Sequence, residues 1–195
     1  QGVTGFGSAI FALPLASIFL PLKYVIQVLL VLSVIQNIII VIKDKKHINK
    51  EETKKILLFI LIGVPFGILF FNALPETILK LTLSLMIICI AILKLFKKNN
   101  NETEHKTSSF DFMYLIVGGC MHGAFGTGGP LIVIYFVKRI QDKASFRVTM
   151  CFIWTIINFV IITQKVITGW FNLNIITLIG FGVVFVILGT YVGNK

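Results

Sequence analysis

Apolar residues fall into seven long blocks, at approximately 3–20, 22–42, 56–73, 78–96, 112–137, 146–164 and 173–192. Most match the roughly 20 residues that a helix needs to cross about 30 Å of hydrocarbon. Most of the charge is carried by the connections: "KDKKHINKEETKK" at 43–55, "KKNNNETEHKTSS" at 97–109 and "KRIQDKASFR" at 138–147. This pattern predicts an all-α polytopic membrane protein. The asparagine-rich stretch at 99–101 is the one linker-like segment. It divides the chain into an expected first transmembrane repeat at 1–98, a polar cytoplasmic linker at 99–110 and a second repeat at 111–195.

The two halves look alike. "GVTGFGSA" begins at Gly2 and "GAFGTGGP" at Gly123, an offset of 121. Gly2, Gly5 and Gly7 fall on Gly123, Gly126 and Gly128, Ser8 on Gly129, and Ala9 on Pro130. The same offset carries Asn37 onto Asn158. "GVPFG" at 63–67 finds a counterpart in "GTYVG" at 189–193 once five residues are inserted. These coincidences together indicate an internal duplication. The two GxxxG segments read as faces for close helix packing.

The placement of charge decides between two topologies. If every block crosses once, the eighteen cationic residues split eleven to seven between the two sides. If the two glycine-rich blocks enter and leave by one face, as broken or re-entrant hairpins, the split becomes fifteen to three. The positive-inside bias favours the second arrangement, with the basic loops cytoplasmic. An odd number of crossings per half then makes the halves two inverted structural repeats, an arrangement recurrent in transporters.

Composition narrows the chemistry. Hydrophobic residues make up 56% of the 195 and charged residues 13%, too little polar surface for a soluble globule. The net charge of +10 lies in short loops rather than on a base-reading face, so no nucleic-acid partner is expected. Cys89, Cys120 and Cys151 lie in apolar blocks without CxxC spacing and read as small buried hydrophobes, leaving no metal site or disulfide. The order G-x-x-G-x-G is not the dinucleotide fingerprint, and no GK[ST] follows it. An intramembrane hydrolase pairing Ser8 with His122 fails on the repeat, which puts glycine at the serine position and gives the histidine no counterpart. No cofactor and no enzyme activity are expected.

What remains points to an anion. A helix broken within the membrane exposes backbone N–H groups, which are tolerated only against protein or a wet cavity. Ser8 and Gly129 suit N-caps and Pro130 suits a first helical position, so half-helices are predicted at about 9–20 and 130–137. Their N-termini present unpaired donors and the positive dipole end. No aspartate or glutamate lies deep in a block; Glu76 and Asp111 sit at ends. The candidate substrate-binding residues are Gly5, Gly7, Ser8, Asn37, Gly126, Thr127, Gly128, Gly129 and Asn158, with Thr149 as a further donor. Asn37 and Asn158 have a competing reading as polar glue between helices. Arg147 reads as an interfacial anchor ahead of an anion attractant, and His122 as a hydrogen-bonded interior histidine ahead of a proton-sensitive group.

"GFGSAIFALP" and "IGVPFGILFFNALPETILKLTLSLMIICIAILK" resemble the first half of the sulfite exporter TauE/SafE family. "GAFGTGGPLIVIYF", "ASFRVTMCFIWTIIN" and "GTYVG" resemble its second half. The resemblance implies an inner-membrane permease exporting small anions such as sulfite or organosulfonates, with about eight helices. On that pattern the chain is expected to lack the start of its first helix and the whole of its last. Ser8 and Ala9 stand where the family often carries another glycine. The implied partners are a small anionic substrate and the lipid bilayer, with a homodimer as the oligomer considered. The rival expectation is a non-transporting scaffold subunit that binds a partner through its GxxxG faces.

Overall fold

The computed structural model describes residues 8–96, 109–170 and 173–193. Among them it is all-helical: α1 (Ser8–Phe19), α2 (Leu22–Asp44), α3 (Lys50–Ala73), α4 (Glu76–Phe96), α5 (Ser109–Phe125), α6 (Gly129–Arg139), α7 (Lys143–Ile167) and α8 (Leu173–Gly193), with a single 3₁₀ turn at Lys45–His47. Three helices are long and apolar enough to cross a membrane unaided: Leu22–His47, Lys50–Ala73 and Lys143–Ile167. The linker at 99–110 lies largely outside the described residues.

The burial pattern is that of a protein solvated by lipid. Phe11, Phe19, Leu173, Phe181 and Phe185 point outward, whereas Gln27, Asn37, Thr149, Asn158 and Lys165 are buried. Polar side chains inside a membrane bundle are costly unless they are paired or used. Of the cysteines, Cys89 is exposed on the outer face of α4, Cys120 is half-buried and Cys151 is buried, and all three are free thiols.

The tightest seam is α3 against α5, and small residues make it. A Cβ on Gly63 or Gly67 would run into the carbonyl oxygens of Ile116 and Cys120. A Cβ on Gly119 or Gly123 would likewise meet the carbonyls of Ile60 and Val64. Lipid tails are as apolar as leucine, so helices associate here by close van der Waals contact, which only glycine permits at this separation. The GxxxG at 63–67 thus does what its spacing predicted, and its partner is a second GxxxG at 119–123 that the repeat alignment passes over. The segment at 189–193 departs from expectation: a Cβ on Gly189 would meet nothing within 4 Å, and α8 instead approaches α2 at Gly182, beside Leu32.

Helix directions follow from contacts at both ends. Asp44 pairs with Arg147 at 2.9 Å, and the Asn49 N–H donates to Thr149 Oγ1 at 3.0 Å, so the end of α2 and the start of α7 share one end of the bundle. Midway along, Asn158 donates to Ser33. Helices α2 and α7 are therefore antiparallel, although they are counterparts at the 121-residue offset. Helix α3 begins at this same end, and α5 runs parallel to it, with the Phe59 and Phe112 rings tilted against each other at 4.4 Å. Helix α6 returns: Tyr135 Oη donates to Glu52 Oε2 at 3.2 Å. The α5–α6 pair enters and leaves by one face.

Local capping sharpens that end. Asn49 Oδ1 accepts the Glu52 N–H at the start of α3, and Asp142 Oδ2 accepts the Ser145 N–H at the start of α7. The Ser145 N–H, with its side-chain hydroxyl, holds the Asp142 carboxyl below the usual aspartate range. Lys23, Lys80 and Lys165 occupy the opposite end, with Phe71, Glu76 and Trp170.

Candidate functional site

The break between α5 and α6 is built by glycine. Helix α5 closes on Gly126, whose φ of +67° lies in the left-handed region and whose N–H bonds back to the His122 carbonyl at 2.7 Å. Such a C-terminal turn favours glycine because a Cβ is strained there. Helix α6 then restarts at Gly129 with Gly128 as its cap and Pro130 in the first turn. The restart comes one residue earlier than the spacing predicted for the cap, because Gly128 supplies the non-helical residue without any side chain. The 11 residues of α6 span about 16 Å. That length is about half of a 30 Å hydrocarbon layer.

His122, in the last turn of α5, organises this break. The Gly128 N–H donates to its Nδ1 at 3.3 Å, so the ring proton sits on Nε2 and is donated to Asn158 Oδ1 at 2.7 Å. The ring also stacks on Trp154 at 4.5 Å, one helical turn before Asn158 on α7. His122 is 4% exposed. It is the hydrogen-bonded interior histidine that was expected, and it is also the link between the broken helix and α7.

The two repeated asparagines meet through Ser33. Asn158 Nδ2 donates to Ser33 Oγ at 3.4 Å, and Asn37 Nδ2 donates to the same oxygen at 3.3 Å. A continuous chain of bonds thus runs from the Gly128 amide through His122, Asn158 and Ser33 to Asn37. Beside it in the chain, Thr127 is 4% exposed. The first-turn amides of α6 lack helical acceptors by construction. Backbone amide, imidazole, side-chain amides and hydroxyl therefore meet in one bonded chain at the break. Among the described residues no carboxylate joins them; the nearest acidic groups lie at the two ends of the bundle.

Not every expected residue belongs here. Gly5 and Gly7 lie outside the described residues, and Ser8 opens α1. The Gly128 N–H is consumed by His122 and is not an open donor. Gly128 cannot carry a side chain, since a Cβ would collide with the Gly118 carbonyl, whereas a Cβ on Gly129 would sit 3.8 Å from Trp154. Thr149 is not at this site: it accepts from Asn49 at the basic end. Arg147 pairs with Asp44 there, as an anchor would. Ser33, the hub of the network, was missed. Its one available signal was its position four residues before Asn37, on the same helix face.

Comparison with known families decides the context. The profile described as Sulfite exporter TauE/SafE matches residues 1–195, the whole chain. The chain belongs to the sulfite exporter TauE/SafE family. No curated protein and no solved structure matches it. Membership of the TauE/SafE family makes this a membrane protein of a transporter class whose substrates are anions, and the polar network lies in the interior of a TauE/SafE-family bundle.

Proposed function

We propose that this TauE/SafE-family chain moves a small oxyanion, sulfite or an organosulfonate, across the inner membrane by alternating access. The observation that carries the reading is the bonded chain from Gly128 through His122, Asn158 and Ser33 to Asn37, which ties the broken helix to an asparagine from each half. The anion is held at mid-depth by Thr127, the α6 N-terminus at Gly126–Gly129 and the two asparagines. Gly5, Gly7 and Ser8 complete the site from the first half.

The halves, residues 1–98 and 111–195, act as inverted repeats joined by a cytoplasmic linker at 99–110. Two features support this: the counterparts α2 and α7 run antiparallel, and the packing is exchanged, α2 on α8 and α3 on α7. The end carrying Asp44, Asn49, Arg147 and the lysine-rich loops faces the cytoplasm, in keeping with positive-inside bias. Rocking one half against the other then exposes the site to each side in turn. The membrane potential helps an anion leave, by about 2.3 kcal/mol per charge per 100 mV.

The scaffold alternative is left with the 189–193 face, because the GxxxG at 63–67 is used within the chain against α5. The deciding experiment is flux into proteoliposomes of sulfite, sulfoacetate, thiosulfate and acetate. Saturable flux of at least one sulfur oxyanion, with acetate excluded, is expected. Absence of saturable flux for all four overturns the reading.

A further inference from the structure

The end of the bundle away from the basic loops holds a second polar group that the broken-helix site does not use. Lys165, in the last turn of α7, is 2% exposed. Its ammonium has neither a carboxylate nor a hydrogen-bond acceptor among the described residues. Its neighbours are aromatic faces, Phe71 at 4.0 Å and Trp170 at 5.1 Å from the ring centroids. Lys23 lies over the same two rings, at 5.5 and 5.1 Å. Two ammonium groups thus share one aromatic floor, and their repulsion is not offset by a free anionic side chain. Glu76, the carboxylate nearby, is committed to the Leu22 N–H and to Lys80, both at 3.0 Å.

A buried amide lies next to them. Gln27, one turn along α2 from Lys23, is 0% exposed, and neither its Nε2 nor its Oε1 has a hydrogen-bond partner. Gln164, beside Lys165, has a buried Oε1 in the same condition. The antiparallel register set by Asp44–Arg147 and Ser33–Asn158 puts Gln27 opposite Gln164. Native interiors rarely leave both ends of a buried amide unpaired, and each such group calls for an explanation. The aromatic floor is itself held in place. The N–H groups of Gly169 and Trp170 close onto the Val166 and Lys165 carbonyls, with Gly169 at φ +69°, the paired-bond motif that ends a helix.

We propose that Lys23, Lys165 and Gln27, with Gln164 beside them, form a second oxyanion subsite at the mouth of the α2–α7 seam opposite the basic loops. The two ammonium groups supply the neutralising charge and Gln27 Nε2 a directed donor. The glutamine carbonyls suit water carried with the ion. This subsite rests on the transport reading and deepens it: an anion released from the central network would pause here before leaving the bundle.

The chain's two tryptophans separate the sites, Trp154 stacking on His122 and Trp170 lying beside Lys165. Fluorescence of purified protein is titrated with sodium sulfite and with methanesulfonate, against chloride at equal ionic strength. Trp154→Phe leaves Trp170 as reporter of the outer subsite, and Trp170→Phe leaves Trp154 as reporter of the central one. A saturable Trp170 response is expected, weakened by about tenfold or more in Lys165→Gln, as loss of a charged hydrogen bond implies. Lys23→Gln, at a less buried position, gives the same direction of change if Lys165→Gln does not fold. A silent Trp170 beside a responding Trp154 overturns the outer subsite and leaves the central one standing. A Trp170 response indifferent to both lysine variants also overturns it. A silent Trp154 beside a responding Trp170 overturns the central reading instead, and silence at both overturns both.

Discussion

Replacing Asn158 by leucine tests the network at its strongest bond. The substitution keeps the branched shape and the number of side-chain heavy atoms but removes the acceptor 2.7 Å from His122 Nε2, leaving a buried N–H unpaired. An unsatisfied buried donor costs about 1–3 kcal/mol. Interhelical hydrogen bonds in membranes average only about 0.6 kcal/mol, since the unfolded chain also finds partners. The bond to Ser33, at 3.4 Å, is long and adds little. The expected destabilisation is therefore about 1–2 kcal/mol, roughly a 5- to 30-fold change in the folded-to-unfolded ratio. Detergent-induced unfolding in mixed micelles measures it. His122→Phe supplies the second arm of a double-mutant cycle, with an expected coupling of about 1 kcal/mol. A neutral Asn158→Leu, or a cycle without coupling, would refute the claim that this bond joins α5 to α7.

Four further outcomes follow from the same geometry. Gly67→Val drives a side chain into the Cys120 carbonyl and the Ala124 amide of α5, so a loss of about 1–3 kcal/mol or more is expected. Gly189→Ala, facing open space, should stay within about 0.5 kcal/mol in the same unfolding assay. Gly169→Ala forces a Cβ into left-handed backbone at φ +69° and should cost about 1–2 kcal/mol, with earlier amide exchange at the end of α7. The Asp142 carboxyl is held below its ordinary value by the Ser145 N–H, so its cap is fully present above the unfolded pKa of about 3.9 and is lost as pH falls through the folded value. Amide exchange in the first turn of α7 should therefore accelerate on acidification, and Asp142→Asn should flatten that dependence. An unchanged pH profile in the variant would count against the cap.

The helical membrane class was legible because hydrophobic blocks of spanning length have no other stable home. Asn37 and Asn158 were legible as matched positions through the 121-residue offset, whereas their shared bond to Ser33 was not. Ser33 was not: a serine in an apolar helix usually bonds its own backbone, and only the α2–α7 crossing brings it between two asparagines. Thr149 misled for the converse reason, since sequence position alone does not reveal that the first two turns of α7 lie at the bundle's end. Lys165 read as one charge in a side tally, whereas the aromatic floor that buries it comes from Phe71 and Trp170, distant in the chain. The close α3–α5 seam was half legible: 63–67 was recognised, but its partner at 119–123 overlaps the second glycine octet and was read only as part of it.

The central claim is that an anion occupies the space between Asn37, Asn158 and the start of α6, and a single charge tests it most directly. Asn37→Asp places a carboxylate of the same shape at a fully buried position, while Asn37→Ser shortens the side chain without adding charge. In proteoliposomes holding folded protein, saturable sulfite flux should disappear in Asn37→Asp and persist, reduced, in Asn37→Ser. Flux in Asn37→Asp equal to that of the unsubstituted chain would contradict the account.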